Sequence, residues 1–96
     1  MQKSENLIKV TGRVLYIKYH NEDNGYTVFC VEKDAYEAVN VVGYCYGIQQ
    51  GDYIAVYGRW VKDEKYGDQF RMDHYEPKVP TNLNRLAEYI GNLLHN

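Results

Sequence analysis

Apolar and polar positions alternate with a period of two through most of this chain, then change to helical spacing near its C-terminus. Residues 7–19 (LIKVTGRVLYIKY) are β-branched and aromatic with charges spaced between them, and predict a first strand. Thirteen residues in extended form reach about 40 Å, long for a flat strand, and Gly12 inside the run predicts a bulge or coil that bends it. The polar run His20-Asn21-Glu22-Asp23-Asn24-Gly25 ends in Asn-Gly, a strong hairpin signal, and residues 26–33 (YTVFCVEK) read as the returning strand. A short polar connection over 34–38 leads to a third strand over 39–46 (VNVVGYCY). Residues 47–52 form a turn between two glycines. Residues 53–61 (YIAVYGRWV) then place Ile54, Val56, Gly58 and Trp60 on one face, with Tyr53, Ala55, Tyr57 and Arg59 on the other. A charged loop over 62–68, turning at Gly67, joins this strand to a fifth over 69–76, where Phe70 and Met72 oppose Arg71, Asp73 and Tyr75.

Pro77 and Pro80 end the β pattern. Thr81 or Asn82 is placed to cap a helix, and Leu83, Leu86, Ala87, Ile90 and Leu94 follow at helical spacing, with Gly91 interrupting the stripe. Five strands, the first long and bent, with short turns and an appended helix, predict an all-β fold: a five-stranded OB-like small β-barrel with a short C-terminal α-helix. Closure removes the exposed edges that a single sheet of this size would carry. The helix usual between the third and fourth strands of such a barrel has no room here, because only residues 47–52 span that gap. A small barrel of the SH3 type is the alternative architecture. The expected organisation is a polar lead over 1–6, the barrel over 7–77, and a linker and helix over 78–96 that runs towards a further domain, because its leucines continue to the chain end.

Composition narrows the function classes. Ninety-six residues support a single domain. The balance of 11 Lys+Arg against 13 Asp+Glu, a net charge of −2, supplies no strong field for nucleic acid. Ser4 is the single serine, so a Ser-His-Asp catalyst is not expected. No glycine precedes a lysine, so the phosphate-cradling Gly-Lys-[ST] loop of an ATPase is missing from the sequence. His20, His74, His95, Cys30 and Cys45 have no chelating spacing, and no metal site is expected. The two cysteines read as small core or wall residues in a reducing compartment. With no apolar run of membrane-spanning length and a polar N-terminus, the expected location is cytoplasmic and no membrane partner is expected.

Tyrosine is the unusual residue, eleven copies against two Phe and one Trp. Aromatics interleaved with cations suit single-stranded nucleic acid, because rings stack on bases while charges follow phosphates. Tyr57 and Arg59 on the fourth strand, Arg71 and Tyr75 on the fifth, and Lys9 and Arg13 on the first are the candidate contacts. In OB-folds the binding face lies on strands two and three; strand two offers Tyr26, Phe29 and Lys33, and strand three offers Tyr44 and Tyr46. The bland alternative is a barrel with a wet tyrosine surface. The mixed-sign loop over 62–68 reads first as a solvated hairpin turn, the alternative being a loop that positions DNA or a neighbouring domain, and Trp60 reads as the core anchor of its strand.

Four stretches carry a resemblance: Tyr19-His20-Asn21-Glu22, then Asn24-Gly25-Tyr26-Thr27-Val28, then Gly51-Asp52, and Lys65-Tyr66-Gly67-Asp68-Gln69-Phe70. With the surrounding residues they resemble the N-terminal OB domain of the long, stand-alone bacterial RecD-like (exodeoxyribonuclease V alpha-subunit-like) DNA helicases. The terminal LAEYIGN resembles that family's lead into a helix-hairpin-helix segment. The resemblance implies a parent protein that unwinds DNA in recombination and repair, with ATP and magnesium bound by a motor in later domains. For this chain it implies a non-catalytic accessory domain without a cofactor or small-molecule substrate. Its expected partners are the remainder of the helicase chain and single-stranded DNA, the alternative being a protein or interdomain contact module that touches no nucleic acid.

Overall fold

The computed structural model describes residues 6–34, 37–79 and 83–95, and within the helix the side chains of residues 87 and 89–94. The expected cap at Thr81 or Asn82, the residues 1–5 and part of the 34–38 connection lie outside the described residues. Five strands, β1 (Ile8–His20), β2 (Tyr26–Asp34), β3 (Glu37–Tyr44), β4 (Tyr53–Asp63) and β5 (Gly67–Pro77), precede one helix, α1 (Leu83–His95). Gly91 does not end the helix.

The strands close into a barrel in the order β1-β2-β3-β5-β4. All neighbours are antiparallel except β3 and β5, which run parallel through Val41↔Phe70 and Val42↔Arg71. This is the OB-like barrel that the strand pattern predicts. Strand β1 closes it by serving two neighbours: Ile8–Arg13 pair with β4, and Arg13–His20 with β2. The core draws one face from every strand: Val10 and Val14, Phe29 and Val31, Val39 and Val41, Ile54 and Val56, Phe70 and Met72. Phe29 and Phe70 are the largest side chains fully removed from water, each contributing about 2–3 kcal/mol of burial.

Two expectations about β1 and β4 change. Gly12 is not a bulge. It sits where β1 changes partner, and a Cβ there would collide with the Glu32 carbonyl, so glycine permits close approach of β2. Trp60 is not a buried anchor: it is 45% exposed at the barrel rim, with its ring edge against Phe70 at 5.3 Å.

Bulges, which sequence alternation does not reveal, reassign several tyrosines. Along β1 the register shifts between Val14 and Tyr16 and again between Ile17 and Tyr19. Strict alternation from Val10 would send Tyr16 inward and, continuing past Ile17, would oppose Lys18 to Tyr19. Instead Tyr16 pairs with Cys30 and Tyr19 with Val28, both on the outer face, while Ile17 and Phe29 stay inside. On β5 the pairing passes from Gly58↔Met72 to Tyr57↔His74, skipping Asp73. Every β5 side chain beyond that point changes sides. Gly58 accommodates the shift, since a Cβ there would strike the Arg71 carbonyl.

The short β3–β4 connection replaces the missing helix by bonding to β1. Gly51 N donates to Val14 O and Val14 N donates to Asp52 O, each at 2.8 Å, while Ile48 packs on the core. A cavity of about 330 Å³ lined by Ile17, His20, Thr27, Cys45 and Ile48 remains at this end. Helix α1 meets the same loop through Asn92 Nδ2, which donates to Gly51 O at 3.4 Å. Its Leu94 is 80% exposed.

Candidate nucleic-acid interface

The outer face of β2 and β3 meets the β4–β5 hairpin in a cleft of about 450 Å³ lined by Lys18, Tyr19, Tyr26, Val28, Asn40, Asp63, Tyr66 and Gln69. Each wall has a local cause. On β1 the second bulge turns Tyr19 outward beside Val28. On β2 and β3, regular alternation puts Tyr26, Val28 and Asn40 outside because Phe29, Val39 and Val41 are inside. The hairpin pairs Asp63 with Gly67, and Asp63 Oδ1 accepts from the backbone N–H of Lys65 (2.7 Å) and Tyr66 (2.9 Å). With Gly67 at φ 79°, left-handed backbone that glycine adopts without strain, this closes a tight turn and holds Tyr66 over the sheet edge.

Tyrosine rings run in contact across this face. Tyr19 and Tyr26 lie 6.3 Å apart between centroids, and Tyr26 and its register partner Tyr44 lie 5.4 Å apart, edge to face. Tyr44 is 68% exposed and Tyr66 63%, with Lys65 Nζ over one face of the Tyr66 ring at 5.3 Å from its centroid. The phenols of Tyr26, Tyr44 and Tyr66 make no hydrogen bond among the described residues. One register row continues around the barrel: Tyr19, Val28, Val42, Arg71 and Arg59 stand side by side on β1, β2, β3, β5 and β4. It sets two arginines directly opposite one another, like charges that repel across the strands.

The sequence-predicted residues therefore divide. Tyr44, Arg59 and Arg71 lie on the outer surface along or beside this row. Lys9 and Tyr57 form a neighbouring outer row with His74: the Tyr57 and His74 rings stack at 4.7 Å, and Lys9 Nζ lies 6.0 Å from the Tyr57 centroid. Tyr57 donates to Glu76, whose carboxyl is held below its ordinary range chiefly by the hydrogen bond from Lys78. Arg13 pairs across strands with Glu32 at 3.6 Å.

Four expected contacts are corrected. Tyr75 does not share a face with Arg71; the β5 bulge turns it inward against the core, its hydroxyl donating to Tyr46 O at 3.4 Å, and burial pushes its phenol up. Tyr46 closes the β1–β2 turn rather than lining the cleft: its hydroxyl donates to Glu22 O at 3.2 Å, and its ring packs on His20. Phe29 is fully buried and offers no surface. Lys33 reaches Glu37 at the opposite end of the sheet.

The residues missed from sequence are Lys18, Tyr19, Asn40 and Gln69, while Asp63 and Tyr66 belong to the loop whose second reading was a DNA or domain contact. Asn40, a lone polar residue among valines, was the visible signal. Lys18 was hidden by the β1 bulges, since strict alternation from Val10 points it inward. Cys30 and Cys45 are free thiols, and among the described residues no group of three His, Cys, Asp or Glu side chains converges as a metal site. No described helix is long and apolar enough to cross a membrane.

Solved structures share this architecture. The chain is similar to one in the crystal structure of the S. pombe Stn1–Ten1 complex, with 13% identity and a TM-score of 0.64 over 93% of this chain and 69% of that one. It is also similar to a chain of a replication protein A heterotrimer bound to single-stranded DNA, with 15% identity and a TM-score of 0.62 over 93% of this chain and 72% of the other. At such identities the likeness establishes the fold. A family model matching residues 7–80 goes further, and on it this chain belongs to the family of the OB-fold domain of the ATP-dependent DNA helicase YrrC.

Proposed function

We propose that this domain is a non-catalytic accessory module of a RecD-like, ATP-dependent DNA helicase and holds single-stranded DNA for the motor. The carrying observation is the cleft in which Tyr19, Tyr26 and Tyr66 surround an apolar floor at Val28, with Arg71 and Arg59 on the row that leads away. Bases stack on the rings and phosphates follow the arginines and Lys18. The replication protein A chain, of the same fold, belongs to a protein whose solved complex contains single-stranded DNA. With a net charge of −2 the grip is weak and salt-sensitive.

In this reading the unit over 7–77 is the binding module, and the segment over 78–96 leads to the next domain of a cytoplasmic DNA recombination and repair enzyme. ATP and magnesium bind the motor of that parent. The test is a titration of the chain with a labelled oligonucleotide at low salt. Saturable binding that weakens with salt is expected; none at tens of micromolar, on the order of −6 kcal/mol, overturns the reading.

A second reading has its own observation. Helix α1 exposes Ile90, Leu93 and Leu94, which favours a contact with the remainder of the helicase chain. In that case Leu94→Ala together with Ile90→Ala weakens assembly with the separately produced remainder and leaves DNA affinity alone.

A further inference from the structure

The cleft contains polar groups that stacking and phosphate tracking do not use. Rings serve the first and cations the second; neither needs a carboxamide. Yet Asn40 and Gln69, both half-buried, line the cleft from β3 and β5. A carboxamide carries two donors and an acceptor. Among the described residues neither side chain has a hydrogen-bond partner. This differs from the amides elsewhere: Asn21 organises the β1–β2 turn through Oδ1, Asn24 Oδ1 accepts from Tyr26 N, and Asn92 donates to Gly51. The cleft amides are half-withdrawn from water and given nothing in exchange by the protein. Beside them the Asp63 carboxylate is fixed in position by Lys65 N and Tyr66 N.

We infer that the cleft seats one base of the strand and selects it by its edge, taking an exocyclic amino group beside a ring acceptor nitrogen, as in adenine and cytosine, in preference to thymine. This deepens, and rests on, the reading of the face as a site for single-stranded DNA. Tyr66 and Tyr26 supply the stack. Asn40 and Gln69 supply the paired donor and acceptor that match an amino group next to a ring nitrogen. Asp63 accepts only, so it favours an amino group and opposes the carbonyl oxygens of thymine. The cavity of about 450 Å³ has room for a base and its sugar.

The experiment compares the chain's affinity for a short oligothymidylate with that for the same strand carrying one central deoxyadenosine or deoxycytidine, by fluorescence anisotropy at low salt. The substituted strands bind about five-fold or more tightly, the lower end of what a bidentate pair supplies. The Asn40→Ala/Gln69→Ala variant narrows that ratio, leaving only the part that Asp63 supplies. Should that variant not fold, Gln69→Met alone narrows the ratio. Equal affinities for the three strands on the wild-type chain, or a preference for thymine, overturn edge selection while leaving stacking intact. A preference unchanged in the amide variants also overturns it. Failure of the wild-type chain to bind any strand overturns the single-strand reading itself.

Discussion

Two sets of tyrosines with the same chemistry do different work on this barrel. Tyr46, Tyr57 and Tyr75 use their polar ends on the protein: Tyr46 on the Glu22 carbonyl, Tyr57 on Glu76 while stacked on His74, and Tyr75 on the Tyr46 carbonyl. Tyr26, Tyr44 and Tyr66 make no such bonds among the described residues and turn their rings to the cleft side. The first set fastens turns and strand ends; the second is structurally under-employed. A tyrosine count therefore says little about function until each hydroxyl has been traced, because stability and binding draw on the same ring.

Substitutions separate the two sets, and the largest effect is expected where the backbone register keeps them apart. Gly58→Ala forces a Cβ into the Arg71 carbonyl and disturbs the bulge that turns Tyr75 inward, so it costs about 2–3 kcal/mol in chemical denaturation. Tyr75→Ala, which empties a partly buried site at the barrel end, lowers stability by roughly 2 kcal/mol and leaves oligonucleotide affinity unchanged. Tyr66→Ala does the reverse. It keeps the midpoint of unfolding and weakens binding by about 1–3 kcal/mol, the usual worth of one stacked base, read by anisotropy. Equal losses of stability and affinity in both variants would dissolve the division.

Smaller effects follow from charge. Arg71→Ala reduces the salt slope of binding by about one unit while affecting all base compositions alike, since it addresses phosphate. At the barrel end, Cys45 and Tyr75 both titrate above their ordinary ranges, each chiefly because burial disfavours the charged form. The stability they support is fully present below the unfolded-state values and declines as pH rises through the raised folded-state values, a window opening at about pH 8.5 for cysteine. Tyr75→Phe flattens the alkaline part of a denaturation-midpoint profile, and a variant profile parallel to the wild type's would discount that origin.

Much of the architecture was legible in the chain. The Asn24-Gly25 signal, the glycines bounding the turn over 47–52 and the alternation of Ile54 and Val56 are local features, and local features read directly as strands and turns. Fourth-strand alternation also placed Tyr57 and Arg59 outside, where they lie. What alternation did not carry is a one-residue shift. Each bulge depends on how a strand meets its neighbour, and each moves the following side chains to the other face. For that reason Lys18 escaped the predicted site, Tyr75 entered it wrongly, and Gly12 was assigned a bulge that occurs further along β1.

By itself, then, the chain determined the number and order of the strands, the barrel class and most of the core, Trp60 and Tyr75 excepted, because hydrophobic periodicity and turn chemistry act within a few residues. Only the tertiary structure decided which tyrosines are available. Closing the barrel brings the hairpin with Tyr66 and Gln69 onto the face of Tyr26 and Asn40, residues far apart in sequence, and the register that does so is chosen by packing across strands.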